Sequence, residues 1–479
     1  TFNRPDCLSY LGIAREVAAS FGTDLRVHKP EVKSANDGDD ISKYISVKVE
    51  NTELCPRYSA KVIKNVKIGP SPLWLRAKLR SAGVRPINNI VDITNYIMMA
   101  YGQPLHCFDA DMIQGGEVVV KTMPEGTPFV TLDGVEHKLS ERDLAICNAE
   151  EPMCIAGVFG GKGSGTYDTT CNVLLESAYF NPTWIRKSSR RHGLQTDASF
   201  RFERGIDPNG QIYALKQAAI MAKELAGAKV SMEIVDVNPQ PIAPFSVDVK
   251  YAYVNALIGK DIPVETVKSI VTSLEMEIVK EDAEGLQLSV PAYRVDVQRE
   301  ADLIEDVLRI YGYNNIEIPE HVNSTLSYVQ KPDKNRLVNM VSDMLTARGY
   351  TEIMSNSLTK AAYYENLQCY KAENCVKILN PLSTDLNVMR QTLAFNVLEA
   401  VALNINHKNA DLKLYEAGNC YYYNAEAATE ENPLAAYSEN YRLAIAVTGN
   451  DELNIMSCML AARGGAKKTV ARVRSTEYS

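Results

Sequence analysis

At 479 residues with a formal net charge of −8, the chain is too long for one compact core, and two to four domains are expected. The charge argues against a generally cationic nucleic-acid binder but leaves room for a local basic strip. Hydrophobic residues at 46% and charged residues at 23% fit a soluble globular protein, and no stretch approaches the ~20 apolar residues of a membrane-spanning helix.

Residues 3–21 read as one amphipathic helix, capped by Asn3 or Asp6, with Pro5 near its first turn and Gly22 ending it. This opening lacks the charged, apolar and small-residue regions of a signal peptide. It begins without Met and reads as the interior of a longer protein. A polar stretch, "VKSANDGDDISKY", follows. From about 45 the chain mixes strand-like alternation ("YISVKVEN", "YSAKVIKNVKI") with a helix, "SPLWLRAKLRSAG", for which Ser71 is the expected N-cap and Gly83 the C′ residue.

The segment 84–109, "VRPINNIVDITNYIMMAYGQPLHCFD", has the ambiguous apolar pattern of a buried helix or strand. Arg85, Asn88, Asn89, Asp92, Thr94 and Asn95 run through its first half. It breaks at Gly102-Gln103-Pro104 and delivers His106, Phe108 and Asp109. Short β runs follow at "GEVVVKTM", "TPFVTLDG", "HKLS", "LAICNAEEPMCIAGVFGG" and "NVLLESAYF". A long helix, "QIYALKQAAIMAKELAGA", closes this region.

The Pro-rich "NPQPIAPF" (238–245) is the clearest linker. A unit of roughly 75 residues comes next, with a helix from 263, a strand pair around "MEIVKEDAEGLQLSVPAY" and an amphipathic helix over 299–311 ending at Gly312. A last region, from about 325, opens with the helix "KNRLVNMVSDMLTARGY". The closing "GGAKKTVARVRSTEYS" does not continue the preceding pattern, and is expected either to be disordered or to stand beside omitted residues.

Four features bear on chemistry. "GVFGGKGSGT" (157–166) matches neither G-x-x-x-x-G-K-[ST] nor G-x-G-x-x-G, so it reads as a tight turn that lets backbone approach something closely. The stretch 181–208 carries Arg186, Lys187, Arg190, Arg191, Arg201 and Arg204, either a solvated cationic face or a polyanion contact. In 294–313, Asp302, Glu305 and Asp306 fall at i, i+3 and i+4 with Asp296 just ahead. Spacing alone favours an acidic face paired with Arg299 or Arg309 over a Mg²⁺ site. Glu176, inside an apolar strand, must be paired, hydrogen-bonded or neutral. His106 is ambiguous between structure and catalysis. No Ser/His/Asp or Cys/His arrangement is set by spacing. The ten Cys show no C-x-x-C pair or zinc spacing and read as reduced residues of a cytoplasmic chain.

Taken in order, "NRPDCLSYLGIARE", "IGPSPLWL", "RPINNIVDITNY", "GQPLHCFD", "TLDG", "IAGVFGG", "LLESAYF", "RRHGLQTDASFRFERGIDP", "DLIEDVLRIYGY" and "NPLSTDLNVMRQTL" closely resemble the beta subunit of bacterial phenylalanyl-tRNA synthetase. The resemblance implies an α+β, multidomain chain. An N-terminal helix and linker (1–44) precede a mixed α/β editing domain (45–236). A small helix-turn-helix-like, Mg²⁺-binding domain (242–316) follows, then a catalytically inert class II synthetase-like antiparallel-sheet domain (325–479). In that last domain "LKLYEAGNCYYY" lacks the Arg-x-Glu pair that class II enzymes use on ATP. The family's N-terminal tRNA-binding domain would precede "NRPDC", and its C-terminal anticodon-binding domain is not recognisable.

The resemblance further implies hydrolysis of Tyr wrongly attached to tRNA-Phe. A pocket shaped for Phe cannot strongly exclude an isostere that adds a hydroxyl, so a second sieve must accept Tyr through that group. Glu176 matches the acceptor of the phenol O–H. Gly160, Thr196 and Ala198 match positions that shape the pocket. Arg85 and His106 match positions near the ester and the tRNA end, with the polar residues of 88–95 as a hydrogen-bonded frame holding both toward one pocket. Water would attack without a covalent intermediate. Asp296, Asp302, Glu305 and Asp306 fall on Mg²⁺-binding positions shared with an alpha subunit, Asp306 standing one methylene shorter than the usual Glu. That alpha subunit would use ATP to attach Phe, in a cytoplasmic α2β2 heterotetramer with no membrane association. A non-enzymatic tRNA- or DNA-binding module is the alternative, and a small-ester hydrolase a third reading.

Overall fold

The computed structural model describes residues 2–27, 40–321, 324–328, 333–448 and 459. The chain divides into two units, Thr1–Glu320 and His321–Ser479.

The first unit opens with a 3-10 turn, Pro5–Leu8, and helix α1 (Tyr10–Phe21). One continuous helix over 3–21 is therefore corrected. Ser9 adopts an extended backbone and its Oγ accepts from the Gly12 amide at 3.0 Å, so Ser9, not Asn3 or Asp6, is the cap. Gly22 ends the helix in the left-handed region as expected.

The elements that follow are β1 (Ser46–Val49), β2 (Arg57–Lys64), α2 (Leu73–Ser81), α3 (Asn89–Tyr101), β3 (Leu105–Asp109), β4 (Glu117–Thr122), β5 (Thr127–Val130) and β6 (Glu136–Leu139). Then come β7 (Leu144–Cys147), β8 (Pro152–Ile155), β9 (Phe159–Gly160), β10 (Val173–Tyr179), α4 (Pro182–His192), α5 (Asp197–Phe202), α6 (Gln211–Ala226), β11 (Lys229–Val230) and β12 (Val235–Val237). One sheet runs β1-β4-β7-β8-β9; the other runs β11-β2-β10-β3, with β12 also on β2. Ser71 does not cap α2: the residue before the helix is Pro72, and the Ser71 Oγ donates to Asp92 Oδ2 at 2.6 Å instead.

The central strand β10 is buried along nearly its whole length, and its two faces enter different cores. Val173 and Leu175 join Ile63, Leu75, Ile90, Ile93, Ile97, Ala214 and Ala218 beneath α2, α3 and α6. Leu174 and Ala178 join Tyr58, Ala60, Val62, Phe108, Ile146, Ile155 and Val158 between the two sheets. Because strand side chains alternate faces, Glu176 belongs with Leu174 and Ala178 in the second core.

The small region contains β13 (Phe245–Lys250), α7 (Tyr251–Ile258), α8 (Val264–Ser273), β14 (Glu277–Glu281), β15 (Gly285–Val290) and α9 (Glu300–Tyr311), with sheet order β13-β15-β14. Val247, Val254, Val267, Val271, Leu288, Leu303, Ile304 and Val307 form its core, and Ala19 of α1 packs into it. Neither β13 nor α7 is anticipated by the sequence pattern.

The second unit holds α10 (Lys334–Thr346), β16 (Thr351–Glu352), β17 (Leu358–Thr359), β18 (Val388–Met389), α11 (Ala394–Asn406), β19 (Lys413–Tyr423) and β20 (Tyr437–Val447). β19 and β20 pair antiparallel along their full lengths, and β16 adds to β19 in parallel. Chain-wide, the architecture is the expected α+β, multidomain arrangement of helices and several antiparallel sheets. The closing segment "GGAKKTVARVRSTEYS" lies outside the described residues. Among the described residues no helix is long and apolar enough to cross a membrane.

Candidate active site

The site is assembled by strand register. In β10 Glu176 stands opposite His106 of β3 on one side and Ala60 of β2 on the other. Directly opposed residues point to the same face, so carboxyl and imidazole share the apolar layer between the sheets. Glu176 is 4% exposed. Its Oε2 accepts a hydrogen bond from the Tyr58 hydroxyl at 3.3 Å. Burial pushes its carboxyl up to about 8, with Tyr58 pulling weakly the other way.

Burial moves His106 in the opposite direction, down to about 4, so its ring is neutral near pH 7. The ring meets Phe108 edge-on at 4.4 Å between centroids. Its Nε2 is buried with no hydrogen-bond partner among the described residues. An unpartnered buried ring nitrogen leaves one hydrogen-bonding position for a ligand or water.

Gly160, at the end of β9, closes over that ring. A Cβ there would lie 2.8 Å from His106 Cε1, 3.3 Å from His106 Nε2 and 3.0 Å from Leu132 Cδ1. The glycine-rich 157–166 stretch thus brings backbone against His106, the close approach its composition suggested. Thr196 caps α5: its Oγ1 accepts from the Ser199 amide at 3.0 Å and donates to Val158 O at 3.1 Å. That bond ties the α4–α5 loop to the turn leading into Gly160. Ala198 packs against the same inter-sheet core.

Arg85 lies elsewhere. It is exposed on the α2–α3 loop, lining a shallow surface with Arg80, Gly83, Val84 and Pro86. No contact among the described residues joins it to His106 or Glu176. The frame between them is present and is helical: the Asn88 Oδ1 accepts from the Val91 amide at 2.9 Å. Asn89 donates to Lys67 O at 2.8 Å, and Thr94 donates to Val91 O at 2.8 Å. Asp92 accepts from the Ile87 amide at 2.7 Å as well as from Ser71. These polar groups thereby satisfy a buried loop–helix junction.

The four acidic residues of the small region do not converge. Asp306, 5% exposed, accepts from Arg294 Nη2 at 2.5 Å and from Arg309 Nη2 at 3.0 Å. Asp296 takes the same Arg294 at 2.9 Å. Asp302 pairs with Arg299 at 2.8 Å and caps α9 through the Arg299 amide. Glu305 is exposed. Three of the four carboxylates are thus neutralised by guanidinium groups, and no common point is left where oxygens would surround a divalent cation. The donor set as arranged does not fit Mg²⁺. Among the described residues only Asp6, Cys7 and Glu16 bring three ligating atoms together. Arg4 bridges that Asp6 and Glu16.

In the second unit Glu416 of β19 is buried against Arg390 at 2.6 Å. Its Oε1 takes Arg390, and its Oε2 is buried with no hydrogen-bond partner among the described residues.

Sequence reasoning missed Tyr58. Its only local signal was strand alternation, and its partner lies 118 positions away.

Three family models match this chain: the B3/4 domain over 54–227, the tRNA synthetase B5 domain over 247–313, and the phenylalanyl tRNA synthetase beta chain CLM domain over 318–457. The chain is 59% identical over 454 residues to the phenylalanine–tRNA ligase beta subunit of Bacteroides fragilis, covering 94% of this chain and 55% of that one. It is 58% identical over 461 residues to that of Bacteroides thetaiotaomicron, covering 95% and 56%. With the Porphyromonas gingivalis protein of the same name the identity is 46% over 454 residues, covering 94% and 55%. The chain spans about half the length of the relatives it matches.

Proposed function

The chain belongs to the phenylalanine–tRNA ligase beta-subunit family, and on that premise we propose that it acts as such a subunit and removes Tyr wrongly attached to tRNA-Phe. Residues 45–236 are the hydrolytic domain, and 325–479 a class II-like domain without chemistry of its own. An alpha subunit attaches Phe using ATP in a cytoplasmic α2β2 assembly.

The observation that carries this reading is the cross-strand pair of buried Glu176 and half-buried His106 beneath Gly160. At neutral pH a carboxyl with a pKa of about 8 is mostly protonated. It then offers both a donor and an acceptor, the complement of a phenol hydroxyl, which also does both. A Phe ring would leave those atoms unpaired, a cost of about 1–3 kcal/mol. The residues around the pair at Ala60, Gly160 and Ala198 are small, and a larger side chain at Gly160 would collide with His106 and Leu132.

His106, held neutral, is a weak base. Its unpartnered Nε2 suits the holding of a water or the ester by a hydrogen bond rather than full proton removal. Cysteine nucleophiles are disfavoured: burial raises the Cys107 thiol to about 11, and the Cys55 and Cys154 thiols also lie well above their usual range. Hydrolysis therefore runs by direct attack of water on the ester carbonyl carbon. The bond to the terminal ribose oxygen breaks, that oxygen leaves with a proton, and free Tyr and tRNA-Phe are the products.

The reading as a non-enzymatic RNA- or DNA-binding module is not favoured, because it gives Glu176 and His106 no task. Incubating the chain with Tyr-tRNA-Phe and following Tyr release tests the proposal. Equal, slow release by wild type and Glu176→Ala would sink it.

A further inference from the structure

The structure sorts the six cations of 181–208 by what they touch. Arg201 is buried, donating to Asp197 O at 2.8 Å and Leu8 O at 3.1 Å. Arg204 stacks 3.6 Å over the Phe200 ring and pairs with Glu203. Arg191 is an ion-pair partner of the fully buried Asp143. These three are structural. Arg186, Lys187 and Arg190 are exposed, and no ion pair among the described residues reaches them. Lys187 only leans over Trp184, at 5.1 Å.

The three form one face. In α4, Ile185, Ser188 and Ser189 are buried, so Arg186, Lys187 and Arg190 fill the opposite stripe, and the helix contains no acidic residue. Helix-dipole stabilisation accounts for cations in the last turn, such as Arg190, but does not reach mid-helix. The helix itself supplies no acidic partner to these three cations, and no ion pair among the described residues reaches them, which leaves the stripe open to an external polyanion.

The stripe is also coupled to the candidate site. The Ser189 Oγ donates to Leu194 O at 2.5 Å, fixing the turn that follows α4. Two residues on, Thr196 is bonded to Val158, beside Gly160. A polyanion held on α4 is therefore held in register with the pocket.

We propose that the exposed face of α4, formed by Arg186, Lys187 and Arg190, grips backbone phosphates of the RNA acceptor arm while the aminoacyl end enters the Glu176 site. This rests on the proposed hydrolysis of an aminoacyl-tRNA, and it assigns the surface that presents the substrate. The helix is roughly 16 Å long at 1.5 Å per residue, enough for a few consecutive phosphates. Removing one cation that neutralises a phosphate should flatten the dependence of log affinity on log salt by about 0.7–0.9.

The test uses the whole chain carrying Arg186→Ala, Lys187→Ala and Arg190→Ala together, beside a charge-keeping Arg186→Lys, Arg190→Lys protein. Binding of uncharged tRNA-Phe is measured from about 50 to 200 mM salt. Hydrolysis of a tyrosyl-adenosine ester, which has no stem, is followed in parallel. The triple alanine protein should bind tRNA-Phe about ten- to a hundredfold more weakly, with a slope flatter by about 2–3. The lysine protein should bind close to wild type, and short-ester hydrolysis should be unchanged. Wild-type affinity and slope in the triple alanine protein would overturn the assignment. So would an equal loss on the short ester, which would mean the pocket itself was damaged. If wild type cleaves no tyrosyl ester, the hydrolytic reading fails, while the binding arm still decides the role of α4.

Discussion

Replacing Glu176 by Gln should reverse its stability ranking against wild type as pH rises. The Glu176 carboxyl ordinarily ionises near 4.5 and is held at about 8 in the fold by burial. Folding therefore favours its protonated form. The stabilisation is fully present below about pH 4.5, erodes as pH rises, and is gone above about pH 8. At 1.36 kcal/mol per pH decade, the gap amounts to on the order of 4–5 kcal/mol of lost stability by pH 9. Gln keeps the shape, still accepts from Tyr58 and never ionises. Near pH 5 the two proteins should differ by less than about 1 kcal/mol, and at pH 9 the Gln protein should be more stable by about 4 kcal/mol. Hydrogen exchange of the peptide spanning Val173–Tyr179 reads this locally. Comparing the two proteins at each pH cancels the intrinsic exchange chemistry, and about 4 kcal/mol appears as a roughly thousandfold slower exchange in the variant. The same rate ratio at pH 5 and pH 9 would refute the reasoning. It would mean that Glu176 is solvated or paired with a charged His106, and not neutral beside a neutral ring.

Gly160→Ala places a methyl 2.8 Å from His106 Cε1; melting should fall by the equivalent of about 1–3 kcal/mol, and Tyr release should fall with it. Adding His106→Ala should recover most of the stability but not the hydrolysis, and simple additivity would contradict the contact. Asp143→Ala strands the Ser188 hydroxyl, Arg191 and His192 around a site with no solvent exposure; a loss of about 3 kcal/mol is expected in denaturant melts, and a loss under about 1 kcal/mol would show that the cluster is not the anchor of α4. Millimolar Mg²⁺ or a chelator should leave the melting of the free chain unchanged, because Arg294 and Arg309 already neutralise Asp306. Arg294→Met should make melting Mg²⁺-dependent, and a clear Mg²⁺ response in wild type would contradict the arrangement.

What the sequence made legible was what local chemistry decides. The polar residues of 88–95 read as a hydrogen-bonded frame, and Asn88, Asn89, Asp92 and Thr94 do make such bonds. The apolar pattern, however, left helix and strand open, and the exposed Arg85 is not held against His106. Glu176 stood out because a carboxylate in an apolar strand needs a reason. Less legible was anything fixed by distant partners. Ser71 had a cap's chemistry, yet Asp92, 21 positions on, takes its hydroxyl. The acidic spacing in α9 suits a cation as well as it suits arginine. Arg294 reaching across 12 positions to Asp306 is what separates the two. The six cations of 181–208 were alike in sequence and differ only in what the fold brings to each.

Discrimination between Tyr and Phe is the central claim, and one ratio measures it: the hydrolysis rate of Tyr-tRNA-Phe divided by that of Phe-tRNA-Phe, for wild type and for Glu176→Ala. An unpaired Glu176 worth about 1–3 kcal/mol predicts a wild-type ratio of roughly 5 to 150, collapsing toward unity in the variant. A wild-type ratio near unity, or a preference that survives the loss of Glu176, would contradict the account.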